Sequence, residues 1–144
     1  MKKINRTWGI IIPLLLLLGS NSIQAQTTVS QVTSDMRYDD WTAGDKRYAY
    51  LEEDEQTTWW YRNFTLGYEY KIVAFSEDGD VLDVKLEVEY ADGRYFDYDI
   101  DERASVYIKP ITTGVRMRIR ITNYLSNDPD YASKCHFIVF MRKL

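Results

Sequence analysis

The stretch EDGDVLDVKLEVEYADGRYFDYDIDE, residues 77–102, decides how the rest of the chain is read. Leu82, Val84, Leu86, Val88 and Tyr90 fall on every second position, and Asp83, Lys85, Glu87 and Glu89 fill the gaps. Strand side chains alternate between faces, so a period of two predicts a strand with one face in a core and one in water. Ala91-Asp92-Gly93-Arg94 follows. Asp-Gly between alternating runs signals a hairpin, because both residues accept positive φ. The return run puts Phe96, Tyr98 and Ile100 in one phase, read as inward, and Tyr95, Asp97 and Asp99 in the other. Most carboxylates of this stretch are thereby assigned to a solvated sheet face rather than to chemistry.

The same period extends both ways. Tyr68, Tyr70, Ile72 and Ala74 alternate with Glu69, Lys71 and Val73, and Ala104, Val106 and Ile108 with Ser105, Tyr107 and Lys109. Val115, Met117, Ile119 and Ile121 alternate with Arg116, Arg118 and Arg120. Residues 135–141 are nearly apolar in both phases, which predicts a central strand or one covered on both sides. Arg47–Leu51 and Thr57–Leu66 read as two further strands around the acidic turn 52–55. No segment shows a helical period. Seven or eight short strands separated by turns predict an all-β chain, a sandwich or barrel of antiparallel sheets, and a sandwich is expected with Leu82, Val84, Leu86, Val115, Met117, Ile119, Phe137 and Val139 in its core.

Three segments are expected along the chain. Lys2, Lys3 and Arg6 head a short apolar run, Ile10–Leu18, and small polar residues lead to Ala25. That is the pattern of a secretory signal peptide over residues 1–25, and the run is short for a membrane span of about 20 residues. Lipid attachment at its end would need a cysteine, and Leu18-Gly19-Ser20 offers serine. Residues 26–44 read as a polar, loosely held lead-in, and 45–144 as the sandwich domain. Cleavage would take the 144 residues to 119 and the 18 basic side chains to 15 against 22 acidic ones, a formal charge of −7. That balance argues against nucleic acid as a partner. The expected location is periplasmic or extracellular, without a membrane or lipid anchor.

The order of landmarks resembles a known family. Phe64-Thr65-Leu66-Gly67-Tyr68-Glu69-Tyr70-Lys71-Ile72, Asp83-Val84-Lys85-Leu86, Tyr90-Ala91-Asp92-Gly93 and Pro110-Ile111-Thr112-Thr113-Gly114 are similar to the strand entries and turns of bacterial pre-peptidase C-terminal domains. The resemblance spans about residues 45–142. It implies a jelly-roll-like sandwich that is noncatalytic, an appendage of a secreted enzyme or a small exported protein. Related modules bind polysaccharide or collagen, and some bind calcium.

Asp78, Asp80 and Asp83 carry the spacing Asp-Gly-Asp-x-x-Asp and would suit calcium. The longer ligand ladder of a helix–loop–helix calcium site is missing, so a charged turn without metal or other cofactor is the favoured reading. Asn127, Asp128 and Asp130 form a second set of the same kind. Cys135 and His136 are the single cysteine and the single histidine; adjacent strand residues face opposite ways and cannot share a catalytic or zinc site. Aromatics are in surplus. Trp59 and Trp60 are adjacent, so one must face outward, and Tyr95 and Tyr107 fall on polar phases. Arg116, Arg118 and Arg120 point one way. Together they are the candidate ligand face, for a polysaccharide or a surface or secreted protein; pairing of the arginines with Asp83, Glu87 and Glu89, or with Asp97 and Asp99, on a neighbouring strand is the structural alternative. The expectation is a noncatalytic exported binding module. A structural or assembly component of the bacterial envelope is the alternative, followed by a small secreted hydrolase.

Overall fold

A computed structural model describes residues 27–144; the expected signal peptide lies outside the described residues. One helix, α1 (Val29–Tyr38), precedes eight strands: β1 (Thr42–Leu51), β2 (Trp60–Phe64), β3 (Tyr68–Ser76), β4 (Val81–Tyr90), β5 (Tyr95–Asp101), β6 (Arg103–Ile108), β7 (Val115–Ser126) and β8 (Ser133–Lys143). They form two four-stranded antiparallel sheets, β1-β8-β3-β6 and β2-β7-β4-β5. The pairs 1·8, 2·7, 3·6 and 4·5 are those of one long hairpin doubled back on itself. Rolling that hairpin lets β8 also meet β3 and β7 also meet β4. This is the eight-stranded jelly roll; alternation predicts its antiparallel strands, and the jelly-roll order is the one the family resemblance implies.

The inner faces of the two sheets make the main core. Val84, Leu86, Val88, Met117, Ile119, Ile121, Ile72, Val106 and Val139 are all buried there. Burial departs from strict alternation at irregular places. The β4 register slips twice between Val81 and Val84, so Val81 is buried and Leu82, expected in the core, is half-buried. Val115 is also half-buried, at the start of β7. The hairpin between β4 and β5 forms, but only Gly93 of its turn has positive φ, at 91°. Tyr90 N–H donates to the Arg94 carbonyl and Gly93 N–H to the Tyr90 carbonyl. It is a three-residue loop with a left-handed glycine, not the two-residue turn in which both residues take positive φ.

A bulge in β5 has a larger consequence. Val88 pairs with Asp97 and Glu89 with Tyr95, leaving Phe96 as the extra residue. A bulge inverts the side-chain phase beyond it. Tyr98, expected inward, stands opposite Glu87 on the outer face and is 53% exposed. Asp97, Asp99 and Asp101 take the phase of Val88, Leu86 and Val84 instead.

The polar lead-in expected over residues 26–44 is structured from residue 27 on. Thr28 caps α1 by accepting the Gln31 N–H. Val32 and Met36, one face of the helix, pack with Trp41 on the outer side of the first sheet, against Val73, Phe75, Ile138 and Phe140. This third layer explains why β8 is apolar in both phases. The sequence signal for α1 is slight: three apolar residues in ten, in a segment rich in Val, Ser and Thr, which form helices poorly. Tertiary packing supplies what local propensity lacks.

Candidate functional site

The outer face of sheet β2-β7-β4-β5 carries most of the candidate residues, and its composition follows from register. Tyr61 stands opposite Arg118, Arg118 opposite Glu89, and Glu89 opposite Tyr95. One strand position away, Arg120 stands opposite Glu87 and Glu87 opposite Tyr98. Because Trp60 pairs with Ile119, Trp59 comes beside Arg120. Two parallel rows therefore cross the sheet, each with aromatic ends and an arginine–glutamate centre. Their width is about 14 Å, three interstrand spacings of about 4.8 Å.

Contacts hold the rows in place. Arg118 Nε donates to Glu89 at 2.9 Å, and Arg120 Nε to Glu87 at 3.0 Å. Lys85 adds a second cation to Glu87 at 3.4 Å. Glu89, and then Tyr61, push the Arg118 guanidinium still further above its ordinary range by accepting from it. The Trp59 ring centroid lies 4.3 Å from the Arg118 guanidinium carbon and 4.2 Å from that of Arg120. Tyr95 and Tyr98 meet edge to face at 6.4 Å. Arg116 lies 5.3 Å from the Tyr61 ring and makes no ion pair among the described residues. The pairing of the arginine stripe with Glu87 and Glu89 thus holds for two of its three members.

The remaining candidates lie elsewhere. Trp60 faces the other way, against Phe137 and the core edge. Tyr107 is on the opposite sheet, where its hydroxyl donates to Glu69 and its ring meets Trp41 at 6.4 Å. Arg142 donates to the same Glu69, and both donors, Tyr107 foremost, hold that carboxyl below its ordinary range. Tyr107 belongs to the junction of α1 with its sheet, not to the aromatic rows. Tyr61 and Tyr98 join the rows without having been singled out by sequence. A strand phase for Tyr61 could have been read from Trp59; the bulge that turns Tyr98 outward has no sequence mark.

Asp78, Asp80 and Asp83 do not converge. Asp78 Oδ1 accepts the Asp80 N–H, and Asp80 Oδ1 accepts the Asp128 N–H at 2.9 Å. Asp83 sits in the β4 irregularity opposite Leu125. Asp128 Oδ1 accepts the Asp130 N–H, and Asn127 N–H donates to the Asp80 carbonyl. The two acidic loops therefore tie each other down. Among the described residues no three His, Cys, Asp or Glu side chains are placed to hold a metal ion. Cys135 faces the main core and burial pushes its thiol up to about 12. His136 faces outward beneath Glu77, stacked on Phe75 at 5.3 Å.

Compared with known families and with curated proteins, the sequence matches no family model and no curated chain. The likeness to pre-peptidase C-terminal domains rests on its turn and strand motifs.

Proposed function

We propose that the chain is an exported, noncatalytic binding module that takes a polysaccharide on the outer face of sheet β2-β7-β4-β5. One observation carries the reading: the half-buried Trp59 and the exposed Tyr61, Tyr95 and Tyr98 flank a paired arginine–glutamate centre on a sheet face that no element among the described residues covers, while the other sheet has α1 over it. Exposed aromatic rings give flat, rigid contact area at small entropic cost. Arginine and glutamate held in register offer planar donors and acceptors that suit neighbouring hydroxyl groups. Glu89 and Glu87 offset Arg118 and Arg120, while Lys85 and the unpaired Arg116 leave the face with a small positive balance, which a neutral or weakly acidic sugar chain would meet without repulsion. The leader-like residues 1–25 support a periplasmic or extracellular location, and the family resemblance supports a role without catalysis.

The test is glycan-array binding with the parent chain and Trp59→Ala, together with thermal melting. Trp59→Ala is expected to weaken binding by about 2 kcal/mol, the loss typical of an anchoring aromatic, with little change in melting. A parent that binds no glycan, or a Trp59→Ala variant that binds as the parent does, would sink the reading. The first result would point to the structural envelope component instead.

A further inference from the structure

A second feature lies on the opposite side of the Trp59-Trp60 pair. β1 and β2 are the edge strands at one side of the sandwich, one from each sheet. Arg47, Ala49 and Leu51 alternate along β1, opposite Phe137, Cys135 and Ser133 of β8. Phe137 and Cys135 belong to the main core, and cross-strand partners share a face, so these three β1 side chains take the inward phase, with Leu51 buried, Ala49 half-buried and Arg47 still exposed at the open edge. Leu51 reaches the core and is buried. Ala49 is too short to fill its place. The result is a cleft of about 370 Å³ lined by Trp60, Phe137, Ile121 and Leu51, with Gln56, Thr57 and Thr58 at its rim.

Arg47 stands at this cleft. Its guanidinium carbon is 5.2 Å from the Trp60 ring centroid. It makes no ion pair with any carboxylate among the described residues. An inward charge on an edge strand can serve only to discourage edge-to-edge pairing, but that role needs no cavity behind the charge. Here a solvent-open cleft with an apolar floor, within the ordinary size range of ligand sites, has one cation without an ion pair and no acid in its lining.

We propose that the cleft binds a small organic acid with an apolar ring or short apolar chain. The apolar body lies against Trp60, Phe137, Ile121 and Leu51, and the carboxylate takes the Arg47 guanidinium in a bidentate pair. The site is separate from the aromatic rows, because Trp59 and Trp60 face opposite sides of the sheet.

The experiment titrates phenylacetate, cyclohexanecarboxylate and hexanoate, each against its neutral amide, into the full chain. Binding is followed by the Trp60 indole N–H signal in NMR spectra. At least one acid is expected to bind about tenfold or more tightly than its amide, the scale of a charge-assisted pair. Arg47→Gln is expected to bring that acid down to the level of its amide. Ala49→Leu fills the cleft and is expected to abolish binding of both, with melting no lower than the parent's; should it misfold, the Arg47→Gln comparison decides alone. Trp59→Ala leaves the titration unchanged. Equal binding of acid and amide, a preference that survives Arg47→Gln, or no response to any of the three acids at about 10 mM, well above a millimolar Kd, overturns the proposal.

Discussion

Cys135 and His136 are neighbours in sequence with different surroundings. Strand parity alone sends them to opposite faces, and that much was legible. What covers each was not, because it depends on residues about 60 and 107 positions upstream: Glu77 bonds to the Val29 N–H at 2.6 Å and reaches over His136. His136 Nε2 is buried without a hydrogen-bond partner and lies 3.6 Å from Glu77. Burial pushes its pKa below the ordinary value; Glu77 acts the other way, and Lys134 adds to the depression. The folded chain therefore binds this proton less readily than the unfolded chain. The contribution is full above the unfolded value, about 6.5, and is lost as pH falls below it. Melting temperature is expected to drop on going from about pH 7.5 to pH 5.5 more steeply in the parent than in His136→Phe. Equal slopes in the two proteins would show that His136 stays as easily protonated in the fold as outside it.

At the scale of the element, β5 separates what alternation reveals from what it hides. That residues 95–101 form a strand follows from the pattern. That its carboxylates lie on the inward phase does not, because the bulge at Phe96 is invisible in composition. The consequence is an edge that caps itself. Asp97, Asp99 and Asp101 accept the N–H groups of Tyr98, Ile100 and Glu102, at 2.9, 3.0 and 2.7 Å. Asp99 also accepts the Ser105 N–H of β6, tying the two sheets together at this side. β5 has a neighbour on one side only. Donors on the free side of an edge strand are templates for another chain; Asp97 and Asp99 occupy two N–H groups of β5, and Asp101 one just past its end. Replacing Asp97 and Asp101 by Ala, while keeping the Asp99 link, is expected to leave the monomer folded but to raise concentration-dependent association. Analytical ultracentrifugation checks this. A variant as monomeric as the parent would mean that twist or charge, and not the caps, protects the edge.

Across the described residues, the doubled hairpin buries one core between its sheets and leaves two different outer faces, one covered by α1 and one that no described element covers. The core follows from alternating residues that the sequence displays; the pairing order does not, because alternation sets which face a side chain takes and not which strand lies beside it. The covering layer is unlike the core: ten residues with two buried side chains, too short to be stable as an isolated helix. The layers should therefore differ in local stability, since opening follows the apolar contacts a segment makes. Leu86 is fully buried between the sheets, and Leu86→Ala is expected to cost about 2–5 kcal/mol. As the two inner strands of their sheet, β4 and β7 are expected to open only with the whole sandwich, and that loss should then be read in the hydrogen exchange of every slow amide. Met36→Ala removes a contact of α1 with Phe75 and its neighbours. It is expected to speed exchange in α1 while the slowest amides of β4 and β7 keep their rates. If α1 exchanges as slowly as β7 in the parent, or if Met36→Ala lowers protection in both sheets equally, the helix is part of one cooperative unit with the sandwich rather than a layer laid upon it.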